Sequence, residues 1–84
     1  MVDDERLRLE AEHARLLEER RDMAAQFMAD KQLLTMLHVE LNTGMRPLPA
    51  EWLQGGIELL LRLHETSARL VELDARLSHY RKLL

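Results

Sequence analysis

The chain has 84 residues, with 12 Lys and Arg against 15 Asp and Glu and a formal net charge of −3. At 46% hydrophobic and 32% charged residues it is too apolar for a disordered chain, and it lacks the net positive charge of a nucleic-acid binder. Without cysteine, disulfides and cysteine-held zinc are excluded, so a single domain this small is expected to draw its support from oligomerisation.

The first segment, Asp3 to Asn42, contains neither Pro nor Gly and is rich in Leu, Ala, Glu, Arg and Met, which are strong helix formers. It predicts a helix over about 3–42, with Asp3 or Asp4 capping its start and Glu5 on the positive end of the dipole. Its best apolar stripe is Leu9, His13, Leu16, Arg20, Met23, Phe27, Leu34, Leu37 and Leu41. Leu17, Ala24 and Met28 lie on one side of that stripe, while Met36 and Val39 point away from it. The half nearest the turn is therefore apolar on more than one side, as a partner surface is.

Residues 43–48 read as a turn. Gly44 is the expected helix stop, Pro47 and Pro49 forbid helix across the connection, and Pro49 suits a first helical position. The second helix is then expected over about 49–84. Both helices are long and their connection is short, which makes them antiparallel neighbours.

The second helix carries the most regular pattern in the chain. Glu58/Arg62, Glu65/Arg69 and Glu72/Arg76 are three acid-first i,i+4 pairs repeating every seven residues. Beside them runs a coiled-coil seam of Trp52, Gly56, Leu59, Leu63, Thr66, Leu70, Leu73, Leu77, Tyr80 and Leu84. A second apolar strip, Ile57, Leu60, Leu61, His64, Ala68, Val71 and Ala75, flanks that seam. A lone hairpin needs one strip only, so the second is either a merely wide core face or a surface used against another chain. The fold expected is all-α: an antiparallel two-helix hairpin, coiled-coil-like, that dimerises into a four-helix bundle, with residues 1–84 as one domain.

Antiparallel pairing sets Arg20 near Asp74 and Glu72, and Asp30 near Arg62. These five residues are the expected polar layer, whose work is to hold register. The expected interface comprises Trp52, Ile57, Leu60, His64 and Val71 of the second helix with Met28, Met36 and Val39 of the first. Trp52, close to the turn, either anchors a partner or, as preferred here, caps the end of the core.

Chemistry is sparse. Glu10-Ala11-Glu12-His13 has the Glu-x-x-His spacing of di-iron bundles, but the facing helix offers Asp74 as its sole inward acid. A metal-binding, di-iron-like helical bundle using Glu10 and His13 is thus an alternative reading, while no cofactor is expected. Arg15, Arg20 and Arg21 allow an alternative reading as an anionic-ligand regulatory module. Gly55-Gly56 lacks the Lys and Ser/Thr of a phosphate loop, and Ser67 and Ser78 have no catalytic partners in sight.

The leucine run 59–61 is embedded among charges, so no membrane span is expected, and the acidic opening Met1-Val2-Asp3-Asp4-Glu5 lacks the features of a secretory signal. The expectation is a cytoplasmic, non-enzymatic protein–protein interaction module that pairs with itself, with another protein, or both. Small bacterial adaptors, co-chaperones and regulators have this layout. The order helix, Gly/Pro turn, helix is similar in plan to the small co-chaperones of type III secretion, although the helices here are longer and no motif aligns.

Overall fold

The computed structural model describes residues 2–84, with side chains placed from residue 3 onward. Helix α1 spans Val2–Thr43 and helix α2 spans Ala50–Leu83. They lie antiparallel against each other in a rod measuring 67 × 18 × 15 Å. The chain is therefore the all-helical hairpin that its two periodic segments imply. No helix among the described residues is long and apolar enough to cross a membrane.

Local chemistry explains the helix ends. Asp3, Asp4 and Glu5 occupy the first turn of α1, where carboxylates oppose the positive end of the dipole; since α1 begins at Val2, the two Asp residues lie inside that turn. At the other end the Gly44 amide donates to the Glu40 carbonyl at 2.8 Å. Gly44 does not take the left-handed conformation that its place after a helix suggested. Its role is spatial, because a Cβ there would lie 2.6 Å from the Glu40 carbonyl oxygen. Pro49 precedes the first helical residue of α2 with φ −58° and ψ 148°, and its carbonyl accepts from the amides of Trp52 (3.0 Å) and Leu53 (3.4 Å). Arg81 and Lys82 complement the negative end of α2.

The core is a single seam. Leu16 and Leu73 are completely buried and, with Leu77 and part of Tyr80, form its densest section, near the end where the two chain termini lie. Leu63 and Leu59 carry it toward the turn. Two seam positions hold no apolar side chain. Thr66 is buried and satisfies its hydroxyl by donating to the Arg62 carbonyl at 2.7 Å. At Gly56 a methyl of Leu37 fills the space, and a Cβ there would come within 2.6 Å of Leu37 Cδ2.

The seam of α1 includes a residue that its apolar stripe passed over. Asp30 falls between Phe27 and Leu34 in the three-four alternation, and it is 0% exposed. The seam also ends sooner than its periodicity implied. Leu41, Trp52 and Leu84, expected as its outer members, are substantially exposed because a two-helix rod has no further layer to cover its tips. Trp52 in particular is 53% exposed and does not cap the core.

Candidate protein-interaction surface

The seam has two flanks of opposite character. On one, α1 presents Glu12 and Glu19, seven residues apart, and α2 presents Arg62, Arg69 and Arg76 at the same spacing. Antiparallel packing brings these rows together. Arg69 Nε donates to Glu19 Oε1 at 3.0 Å, and Arg76 approaches Glu12 at 3.9 Å. Arg62 makes a two-pronged contact with Asp30, at 2.9 Å through Nε and 2.8 Å through Nη2. Gln26 adds a bond to the same carboxylate at 3.0 Å. None of the three i,i+4 pairs that mark α2 closes as an ion pair among the described residues. The arginines reach across to α1 instead, because an acid at the same height on the neighbouring helix lets one bond fix both tertiary register and charge. The repeat of Glu12 and Glu19 on α1, matching that of Arg69 and Arg76, was the available signal for this cross-pairing.

The expected polar layer divides accordingly. Arg20 meets Asp74, with Nε donating to Oδ1 at 2.5 Å. Asp30 meets Arg62. Glu72 stands apart from both pairs and binds Arg69 at 2.9 Å, because it lies on the outer side of α2 and Asp74 is the residue facing α1. Hydrogen bonds set the electrostatics: those from Arg62 hold the Asp30 carboxyl below its ordinary pKa, as Arg20 does for Asp74 and Arg15 for Glu12.

The other flank is apolar. Near the turn, Leu34, Leu37, His38 and Leu41 of α1 and Leu53, Gly56, Ile57 and Leu60 of α2 line a groove of about 440 Å³. Heptad spacing carries its floor from Ile57 and Leu60 to His64 and Val71 on α2, and along Met28, Ala24 and Leu17 on α1, where Lys31 interrupts the row with its ammonium 5.5 Å over the Phe27 ring. Ile57, Leu60, Val71, Met28 and Leu17 are all exposed. No charge enters the groove itself, and the Arg20–Asp74 pair closes this flank toward the chain termini.

The eight residues expected to form one interface do not share one face. Ile57, Leu60, His64 and Val71 lie together with Met28. Trp52 and Met36 line a separate hollow of about 280 Å³ with Leu33, Leu37 and Glu40, on the opposite side of the seam. Val39 is exposed on the back of α1 and lines neither. The reason is angular: positions 36 and 39 lie beyond the seam on the side away from residues 34, 38 and 41.

The residues considered for chemistry do not converge on one another. Glu10 accepts from Arg6 at 3.1 Å, while Nε2 of His13 is buried with no hydrogen-bond partner. No cluster of three or more metal-ligating side chains occurs among the described residues. Arg15 pairs with Glu12 and Glu19, Arg21 with Glu18 and Asp22, and Arg20 with Asp74, so each of these three cations already faces an acid. Comparison with protein-family models, with curated proteins and with solved structures finds no match for this chain.

Proposed function

We propose that this chain is a non-enzymatic protein–protein interaction module that binds through the apolar flank of its hairpin. The observation that carries the reading is the groove between Leu34, Leu37 and Leu41 on one helix and Leu53, Ile57 and Leu60 on the other. An unsatisfied apolar surface on a rod with so few buried leucines favours association over solitary existence. Ile57 and Leu60 are each about half exposed, so covering either one contributes about 1 kcal/mol, half of what full burial of such a side chain brings. The recognition mode is helix in groove, with anchors at three- and four-residue spacing. Register within the hairpin, held by Asp30–Arg62 and Arg20–Asp74, keeps both walls of the groove at matching heights.

The test is a photo-reactive residue placed at Ile57 or Leu60, with Glu65 on the far side of α2 as control, followed by illumination in cells. Cross-linked protein adducts are expected from the two groove positions and none from the control. Absence of adducts from Ile57 and Leu60 refutes the reading, whatever the partner is.

A further inference from the structure

We propose that the occupant of the apolar flank is a second copy of this chain, laid face to face with both turns at the same end, which completes a four-helix bundle. The proposal rests on the reading of that flank as a docking surface and adds both the partner and its direction.

Three observations support it. The first is area. A long face of 67 by 18 Å bounds any footprint at roughly 1,200 Å², which leaves room for the ~800 Å² per partner of a standard stable interface. The second is the constancy of the need: among the described residues only Leu16, Leu59, Leu63, Leu73 and Leu77 are buried apolar side chains of the lone hairpin. So thin a core requires its cover at all times, and a second copy is present wherever the first is. The third is the distribution of charge along the flank, which sets direction. The groove occupies the turn-proximal half, with the cation Lys31 folded over the Phe27 ring at its edge, and the Arg20–Asp74 ion pair lies toward the chain termini. With turns together, groove meets groove around Ile57 and Leu60, and the two ion pairs meet each other, opposite charges interleaved. With turns opposed and full overlap, each groove would cover the partner's Arg20–Asp74 pair and strip its water, a cost that apolar neighbours cannot repay.

The chain has no cysteine, so single labels are easily placed. Met45→Cys puts a nitroxide in the exposed turn, and His79→Cys puts one near the chain termini, on the far side of α2 in the row of Glu65. Sedimentation is expected to give twice the chain mass, and pulsed dipolar spectroscopy to give Met45→Cys label pairs within about 30 Å, the width of a bundle of helices each 10–12 Å across. His79→Cys pairs are expected in the same short range. Ile57→Glu with Leu60→Glu is expected to halve the mass while leaving the hairpin helical, since neither side chain belongs to the seam. A chain that sediments at its single mass from micromolar to millimolar overturns the proposal and leaves the flank to a different protein. Turns at opposite ends overturn it by another route: even an offset pairing centred on Leu60 separates the His79→Cys labels by about 55 Å, since residue 79 lies 19 helical residues from residue 60, at 1.5 Å per residue. A dimer whose mass and label distances survive the double Glu variant places the contact elsewhere and overturns it too. If the double variant does not fold, the label distances on the native flank still decide between the arrangements.

Discussion

The charged and apolar flanks of the hairpin are built by the same two helices, and they treat the seam between them differently. Along the charged flank, Arg62, Arg69 and Arg76 cross to Asp30, Glu19 and Glu12, so that side of the seam is bridged by bonds internal to the chain. Along the apolar flank near the turn, nothing bridges: Leu53, Ile57 and Leu60 stand opposite Leu34, His38 and Leu41 with a groove between them. Charged rows at coiled-coil flanks make a hairpin self-sufficient in register. Apolar rows in the same positions widen the core face beyond what two helices can cover.

The sharpest way to test that contrast is to truncate one leucine on each side of it. Leu73→Ala empties a completely buried position, and a loss of 2–5 kcal/mol is expected in denaturant titration, about the range for such cavities. Leu60→Ala removes a half-exposed side chain, so at high dilution a change within about 0.5 kcal/mol is expected. Its real effect should appear as a weaker dependence of the midpoint on protein concentration. Equal losses at both sites, independent of concentration, would show that the flanks do not differ as described.

The two ion pairs that join the helices provide the next comparison. The Asp30 side chain is buried and bonded three ways, whereas those of Asp74 and Arg20 remain about half exposed. Asp30→Ala is therefore expected to lower the thermal midpoint by several degrees, because it removes three hydrogen bonds at a buried carboxylate and opens a space at the seam. Asp74→Ala should move it far less, since solvent already screens that pair. Asp74→Leu should keep the helical signal and loosen register or oligomeric state. A midpoint lowered more by Asp74→Ala than by Asp30→Ala would reverse the ranking.

Particular residues show what the sequence could and could not disclose. The seam of α2 was legible because Leu59, Leu63, Leu73 and Leu77 recur with no interruption that matters, and the burial of all four follows it. That of α1 was harder to read. An apolar pattern cannot announce Asp30 as a core position, although antiparallel counting did put it opposite Arg62. The Glu/Arg repeat of α2 marked the right flank but named the wrong partners, because i,i+4 spacing is visible along one helix and acids on another helix are not. Trp52 and Leu41 were assigned to the seam by periodicity, which knows nothing of where a rod runs out of cover. The groove was half legible. Its α2 wall appears as the second apolar strip, whereas its α1 wall emerges only when Leu34, His38 and Leu41 are set at the heights of Leu53, Ile57 and Leu60.

Acid should dissect the charged flank further. Asp30, Asp74 and Glu12 each have folded pKa values below the ordinary 3.8 or 4.5, held there chiefly by hydrogen bonds from Arg62, Arg20 and Arg15. A carboxyl depressed in the folded state stabilises fully above its unfolded pKa, and that stability is lost as pH falls through the folded value. The hairpin is therefore expected to hold its stability from neutral pH to about 5, then weaken progressively below 4. Asp30→Asn should flatten part of that decline, measured as the slope of unfolding free energy against pH between roughly 5 and 2. An unchanged slope would mean that Asp30 titrates alike in both states.

The smallest effect isolates the place where the two flanks meet, at the adjacent glycines of α2. Nothing lies within 4 Å of a Cβ built on Gly55, so Gly55→Ala should gain the ordinary helix preference of Ala over Gly, about 0.8–1 kcal/mol. Gly56 faces the seam, and its added methyl would press on Leu37 Cδ2 at 2.6 Å. That atom is the far end of a flexible side chain beside an open groove, so Leu37 can turn aside at some loss of packing. Gly56→Ala is accordingly expected to gain less than Gly55→Ala. In a Leu37→Ala background the obstacle is gone, and Gly56→Ala should recover the full gain while Gly55→Ala stays as it was. The difference between the two cycles is the coupling of Leu37 to the gap at Gly56. If it is zero, Leu37 does not fill that gap, and the close approach of α1 to α2 next to the groove has some other cause.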